Sequence, residues 1–281
     1  MSEPSEPSPS LPEPAWPVLC SPRDVLAIDR AARVAWSAAR AVARVALPGV
    51  RTAELGEIVR RVIVQHGGRP AFEGYMPAGA PSPFVGPACI CVNEQALHAS
   101  PGSRVLCAGD IVTVDVGVEL DGWFGDVAET FIVPDGSAAN CSLLRACRAT
   151  VAAAVRACGP GVRWSQVARA VRASAARYDL TTLAEYSGHG IGRRVHEPPR
   201  AGYAVRPGDG DDFLLLPGMV FTIEPVLVAP PGGVVIGPDG WTVSTADSSP
   251  AAHVERMVHI TRTGVSILGR PVCGRREREC L

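Results

Sequence analysis

Asp115 and Asp126 are the two residues whose type and spacing first ask for chemistry. They lie in IVTVDVGVELDGWFGDVAETFIV, residues 111–133. Val112, Val114, Val116 and Val118 alternate with Thr113, Asp115, Gly117 and Glu119, the period of a half-buried strand. Asp121-Gly122 is a favoured two-residue turn between paired strands. With that turn, 120 faces 123, 117 faces 126 and 115 faces 128. Asp115 and Asp126 then share one face as diagonal neighbours, roughly 7–8 Å apart at the backbone. Like charges that near each other are costly unless a cation sits between them. A solvated face on an antiparallel sheet would give the same alternation. Asp is depleted in strands, however, and two that converge across a tight turn make a divalent cation the chemistry to test.

Three further segments carry groups of ligand type. Residues 187–199, SGHGIGRRVHEPP, set His189 and His196 in a glycine-rich stretch. Glycine there permits unusual backbone angles and close approach to a ligand. Residues 219–225, MVFTIEP, read as an apolar strand ending on Glu224, which Pro225 holds extended. A charged residue in so apolar a run is rarely buried without a partner. Residues 253–260, HVERMVHI, alternate again and put His253, Glu255, Met257 and His259 on one face. Each segment alone fits ordinary structure. Together they supply two Asp, two Glu and a His, which suits a pair of divalent ions sharing carboxylate bridges.

The ordered set Asp115, Asp126, His189, Glu224 and Glu255, with the strings VDVGVELDGWFGD, GHGIGRRVHEPP, FTIEP and GWTVSTAD, closely resembles the type I methionine aminopeptidases of metallopeptidase family M24. The likeness runs from about Ser21 to about Gly269. It implies an α/β (α+β) pita-bread fold, with antiparallel sheets covered by helices and an internal pseudo-twofold. The implied activity is removal of the N-terminal methionine from nascent proteins or peptides whose second residue is small. Two divalent ions per chain come with it, drawn from Co, Mn, Fe, Zn or Ni. The implied setting is bacterial and cytoplasmic: a monomer that meets nascent polypeptide N-termini, with ribosome association a further expectation.

By the same resemblance, Asp115 chelates one metal, Asp126 and Glu255 bridge both, and His189 and Glu224 complete the second site. Glu224 also shuttles a proton. His98, in ALHASP, matches the histidine near the scissile amide, and His196 the one that contacts the substrate carbonyl. In the family's mechanism a water activated by both ions attacks that carbonyl while a metal polarises its oxygen. The methionine pocket maps onto Tyr75, Phe84, Cys89, His98, Val195 and Trp241, an apolar and sulfur-tolerant lining that suits a thioether. The chain also departs from the pattern. His98-Ala99 stands where His-Gly is usual, Val195 where many bacterial members carry an aromatic residue, and His253 where others carry Gln. MPAGAPSP, residues 76–83, is longer than in compact members and predicts a remodelled pocket rim.

Two other readings share these residues. Xaa-Pro aminopeptidases and prolidases have the fold and the five ligands, but usually with a large N-terminal domain, whereas 97 residues precede His98 here. A catalytically silent binding protein on the same fold would have no physical need for five converging ligands. An aminopeptidase specialised for a particular peptide also fits.

The elements that must position these groups recur. Pro48-Gly49-Val50-Arg51 returns as Pro160-Gly161-Val162-Arg163. Before each copy lies an Ala- and Arg-rich segment with helical spacing, 24–46 and 138–157. After each comes a second helix, roughly 52–66 and 164–177, and then strand-rich sequence. Thr52 reads as the N-cap of the first of these and Gly67 as its stop. The matched flanks predict a duplicated half, with carboxylates contributed by both copies.

The 281 residues suit one catalytic domain, 21–269, between a Pro-rich tail, 1–20, and a charged tail, 270–281. A formal net charge of −1 gives no basis for binding nucleic acid or anionic membrane. All 27 basic residues are arginine, a bias expected of a GC-rich genome. The segment MSEPSEPSPSLPEPAWP lacks the basic and apolar regions of a signal peptide and reads as a solubilising tail. Some actinobacterial members of the family carry similar extensions. No apolar run reaches membrane-spanning length. Nine cysteines without a CxxC…CxxC pattern are expected to be reduced.

Overall fold

A computed structural model of the chain describes residues 18–270; the Pro-rich segment and the charged C-terminal tail lie outside them. Four helices fall on the predicted segments: α1 (Pro22–Ala43), α2 (Thr52–Gln65), α3 (Ala138–Ala157) and α4 (Trp164–Ala176). Serines start the first member of each pair. Ser21 accepts a hydrogen bond from Asp24 N, and Ser137 from Asn140 N. Thr52 is not a cap. It is the first residue of α2, buried, and its hydroxyl both donates to Gly102 O and accepts from Gly102 N. The flanking position belongs to Arg51, whose backbone N–H donates to Glu54. Gly67, at φ +79°, follows the helix end as expected.

Among the described residues there are fourteen strands, in order β1 (Arg69–Pro70), β2 (Cys89–Val92), β3 (Gln95–Leu97), β4 (Ile111–Leu120), β5 (Trp123–Ile132), β6 (Thr181–Thr182), β7 (Ser187–Gly190), β8 (Glu197–Gly202), β9 (Val220–Ile223), β10 (Leu227–Val228), β11 (Val234–Ile236), β12 (Val243–Thr245), β13 (Arg256–Ile260) and β14 (Val265–Ile267). All pairings among them are antiparallel. In the first half β4 pairs with β1, β2 and β5; in the second the order is β14-β13-β9-β7-β8. The β4–β5 hairpin has the expected register: Leu120 faces Trp123, Gly117 faces Asp126 and Asp115 faces Ala128. Asp121 and Gly122 both have positive φ, 53° and 73°, the geometry of a type I′ turn.

The pseudo-twofold is written in the backbone hydrogen bonds. In the first half Gly49 N donates to Leu106 O, Leu106 N to Val50 O and Thr52 N to Arg104 O. In the second, Gly161 N donates to Leu215 O, Leu215 N to Val162 O and Trp164 N to Phe213 O. A second repeat, weaker in sequence, follows from the same match. Val133 N bonds Asp110 O just as Ile260 N bonds Met219 O, which superposes GDIVTVD (109–115) on GMVFTIE (218–224). Asp115 and Glu224 are therefore equivalent positions in the two halves.

Each half has its own core. Under α1 and α2, Ala35, Val42, Leu55, Val59 and Ile63 meet the apolar face of β4. Under α3 and α4, Val151, Trp164 and Val171 meet Phe221, Ile223, Val258 and Ile260. A Cβ at Gly125 would lie 2.2 Å from Ala32 N, so glycine on β5 lets α1 rest directly on the sheet. Among the described residues no helix is long and apolar enough to cross a membrane.

Candidate metal centre and substrate cavity

Five groups converge from both halves. Asp115 sits mid-β4, Asp126 on β5 and His189 on β7; Glu224 follows β9 and Glu255 precedes β13. Ligand atoms of Asp126, His189 and Glu255 lie within 4.8 Å of one another. His189 Nε2 is 3.5 Å from Glu224 Oε1 and 3.9 Å from Asp126 Oδ2. Hydrogen bonds from the scaffold hold them in place. Thr222 Oγ1 accepts from His189 N at 2.9 Å and donates to Glu224 Oε1 at 2.6 Å. Glu224 N donates to the Tyr203 hydroxyl, Glu255 N to Ala128 O and Asp126 N to Met257 Sδ. His189 Nδ1 is 3.0 Å from Gly190 O. A carbonyl can only accept, so Nδ1 carries the proton and Nε2 keeps a lone pair toward the carboxylates.

Three carboxylate oxygens lack partners. Asp115 Oδ1, Asp126 Oδ1 and Glu255 Oε1 are buried and make no hydrogen bond. Burial pushes Asp115 up to about 7 and Glu224 up to about 8. Asp126 and Glu255 are also raised well above the carboxylate range, by burial first and then by neighbouring charge, that of Asp115 on Asp126 and that of Asp126 on Glu255. Burial lowers His189 to about 4. Unpaired buried carboxyls are costly, and four carboxylates with one neutral imidazole are the oxygen-rich donor set of a divalent metal site. The residues fit the metal.

Beside this cluster opens a cavity of about 540 Å³. Tyr75, Phe84, Cys89, His98 and Trp241 line it, and so does His196. The long segment 76–83 is folded back, with Phe84 N bonded to Tyr75 O and Gly74 N to Phe84 O. Trp241 Nε1 holds Ser82 O at 3.0 Å, and Phe84 meets Trp241 edge-on at 5.3 Å. The insertion thus builds one wall. Val195 is a correction: it does not line the cavity, but is buried behind it in the cluster of Phe72, Phe84, Cys89, Cys91 and Ala99. Its short branched side chain stops in that layer.

The cavity histidines are all held neutral. His98 is lowered to about 4 by burial; its φ of +56°, strained for a side chain with a Cβ, turns it out of β3 toward Tyr186 and Trp241. His196 is exposed to the cavity, and burial of its surroundings, with His189 and His98 nearby, lowers it to about 3. Its Nδ1 is 2.7 Å from the Tyr75 hydroxyl. The loop before it is tied by Glu197, which accepts from Arg193 N and Arg194 N at 2.8 and 2.9 Å. His253 is buried outside the cavity lining.

Phe72, Leu97 and Tyr186 also line the cavity and were not anticipated. Phe72 had a legible signal. A Cβ at Gly117 would lie 2.5 Å from its ring, and a lone glycine inside a valine-rich strand marks such an approach.

Fold and cluster together define a metallohydrolase site at the junction of two half-domains. Residues 27–262 match metallopeptidase family M24. Methionine aminopeptidase 1 of Bacillus subtilis is 35% identical over 254 residues, covering 90% of this chain and 99% of its own. The methionine aminopeptidase of Treponema pallidum is 41% identical over 229 residues, 80% of this chain and 85% of its own. The crystal structure of a Thermotoga maritima methionine aminopeptidase superposes with a TM-score of 0.85 at 31% identity, over 91% of this chain and all of that one. The chain belongs to metallopeptidase family M24, in its methionine aminopeptidase branch.

Proposed function

We propose that this chain removes an N-terminal methionine that precedes a small residue, acting on nascent polypeptides in the cytoplasm, and that its five ligands hold two divalent ions. The observation that carries the reading is the set of orphaned buried carboxylates beside an apolar cavity. Bound there, the ions would polarise the scissile carbonyl and acidify a water. Mn(II), Fe(II) or Co(II) suits the oxygen-rich set with one imidazole.

The protein's own groups divide the remaining work. Tyr75, Phe84, Cys89 and Trp241 surround the methionine side chain and keep water from it. Cys89 is a wall and not a nucleophile, because burial holds its thiol well above the usual range. His196 and His98, both neutral, offer N–H or lone pair without bringing a charge to the amide. The Tyr75 hydroxyl fixes the His196 ring. Glu224, placed against Thr222, takes up the proton released on attack and returns it to the leaving nitrogen.

The test is a panel of Met-Ala-Ser, Met-Lys-Ser, Leu-Gly and Ala-Pro peptides with metal-loaded enzyme. Cleavage of Met-Ala-Ser alone is expected. Cleavage of Ala-Pro with Met-Ala-Ser spared would assign the chain to the Xaa-Pro peptidases instead.

A further inference from the structure

The catalytic cavity does not end at its own rim. Glu185, Ser187 and Arg200 line it and also line a second hollow of about 370 Å³. Beyond these three, the second hollow is walled by Gly202, the last residue of β8, by Ala204 and Val205 after it, and by Asp209 and Asp211 of the following loop. Three shared wall residues make the two hollows one trough. A peptide whose first residue fills the apolar cavity must send the rest of its chain out past the rim, and an extended chain advances about 3.3 Å per residue.

The second hollow has a charge of its own. Its lining carries three carboxylates, Glu185, Asp209 and Asp211, and a single guanidinium, Arg200, and all four residues are exposed. Among the described residues the side chains of Glu185, Asp211 and Arg200 make no hydrogen bond or ion pair. Asp209 is engaged, accepting from Arg206 N at 2.8 Å, which shapes the loop. Its other oxygen makes no hydrogen bond and is left to a ligand.

We propose that this trough is the downstream half of the substrate site. It takes the residues after the second one of the peptide being trimmed and favours cationic side chains there. The inference rests on the aminopeptidase reading above, which supplies a polymer leading out of the cavity. Contacts this far from the scissile bond are the same in ground and transition states, so the preference falls on KM and leaves kcat alone. An exposed ion pair contributes at most about fivefold, so two give roughly five- to twentyfold, shrinking at high salt.

The experiment uses three C-terminally amidated peptides: Met-Ala-Gly, Met-Ala-Gly-Lys-Lys-Gly and Met-Ala-Gly-Glu-Glu-Gly. The wild-type enzyme should show a KM for the lysine peptide about five- to twentyfold below that for the glutamate peptide, with equal kcat. The variant D211N, altered only in the second hollow, should narrow the gap between the two KM values and cleave Met-Ala-Gly like the wild type. Equal KM values in the wild type, or a lysine preference undiminished in D211N, would overturn the inference. A metal-loaded enzyme idle on Met-Ala-Gly overturns the aminopeptidase reading itself, and this inference with it.

Discussion

Asp126→Asn and Glu255→Gln will each empty the metal centre and lower turnover by more than about 100-fold. The bound follows from magnitude. Losing a group that only supports a ligand costs 10- to 100-fold in metal affinity or activity, and these two residues belong to the cluster of mutually close ligand atoms itself. The fold should survive, because both amides keep the shape of the acids. It should even gain in the metal-free state. Asp126 and Glu255 are buried, lack full hydrogen bonding and repel one another, so removing one charge relieves strain that only a cation would otherwise relieve. At pH 8 the metal-free variants should melt at or above the metal-free wild type. Variants that retain metal and full turnover would place the centre elsewhere.

Replacing His196 or His98 with Ala should depress kcat by about 10²–10⁴, the range for a lost proton-transfer or hydrogen-bonding role at the reacting group. Metal content should stay that of the wild type, since neither belongs to the cluster of ligand atoms. Tyr75→Phe should reproduce a small part of the His196 loss. It removes the 2.7 Å hydrogen bond, which at about 1 kcal/mol for a neutral pair predicts roughly a fivefold fall in kcat. A folded His196→Ala protein with normal kcat and metal would remove this histidine from the mechanism.

Much of this site was legible because strands obey a period of two. Once Asp121-Gly122 is a turn, the register of Asp115 and Asp126 has no freedom, and the structure has that register. Chain-distant groups were legible in type but not in partnership. Nothing in MVFTIEP says that Glu224 is the counterpart of Asp115; the shared pattern of Gly109 to Asp115 and Gly218 to Glu224 emerges once backbone hydrogen bonds align the halves. Val195 misled because position along a motif does not determine depth. Next to the cavity histidine His196 in sequence, it faces the layer behind the cavity, while Phe84, just after the 76–83 insertion, occupies the wall. Thr52 misled for a related reason. Its capping chemistry is real, but its hydroxyl is committed to Gly102, a tertiary contact no local pattern encodes.

The most direct measurement is a titration of chelated, metal-free protein with Mn(II) at pH 6 and pH 8, following bound metal, released protons and Met-Ala-Ser cleavage together. Asp115 and Glu224, raised to about 7 and 8, hold protons at pH 6 that the ion must displace. Binding should therefore release more protons and be weaker at pH 6 than at pH 8. Between about pH 7 and 8, above the range in which the lowered histidines differ in charge between folded and unfolded chain, the raised carboxyls make the metal-free fold bind more protons than the unfolded chain, so its stability should fall as pH rises through that window. Two ions per chain are expected at saturation, with activity rising from nothing as they bind. Full cleavage by protein verified to be free of metal would contradict the account.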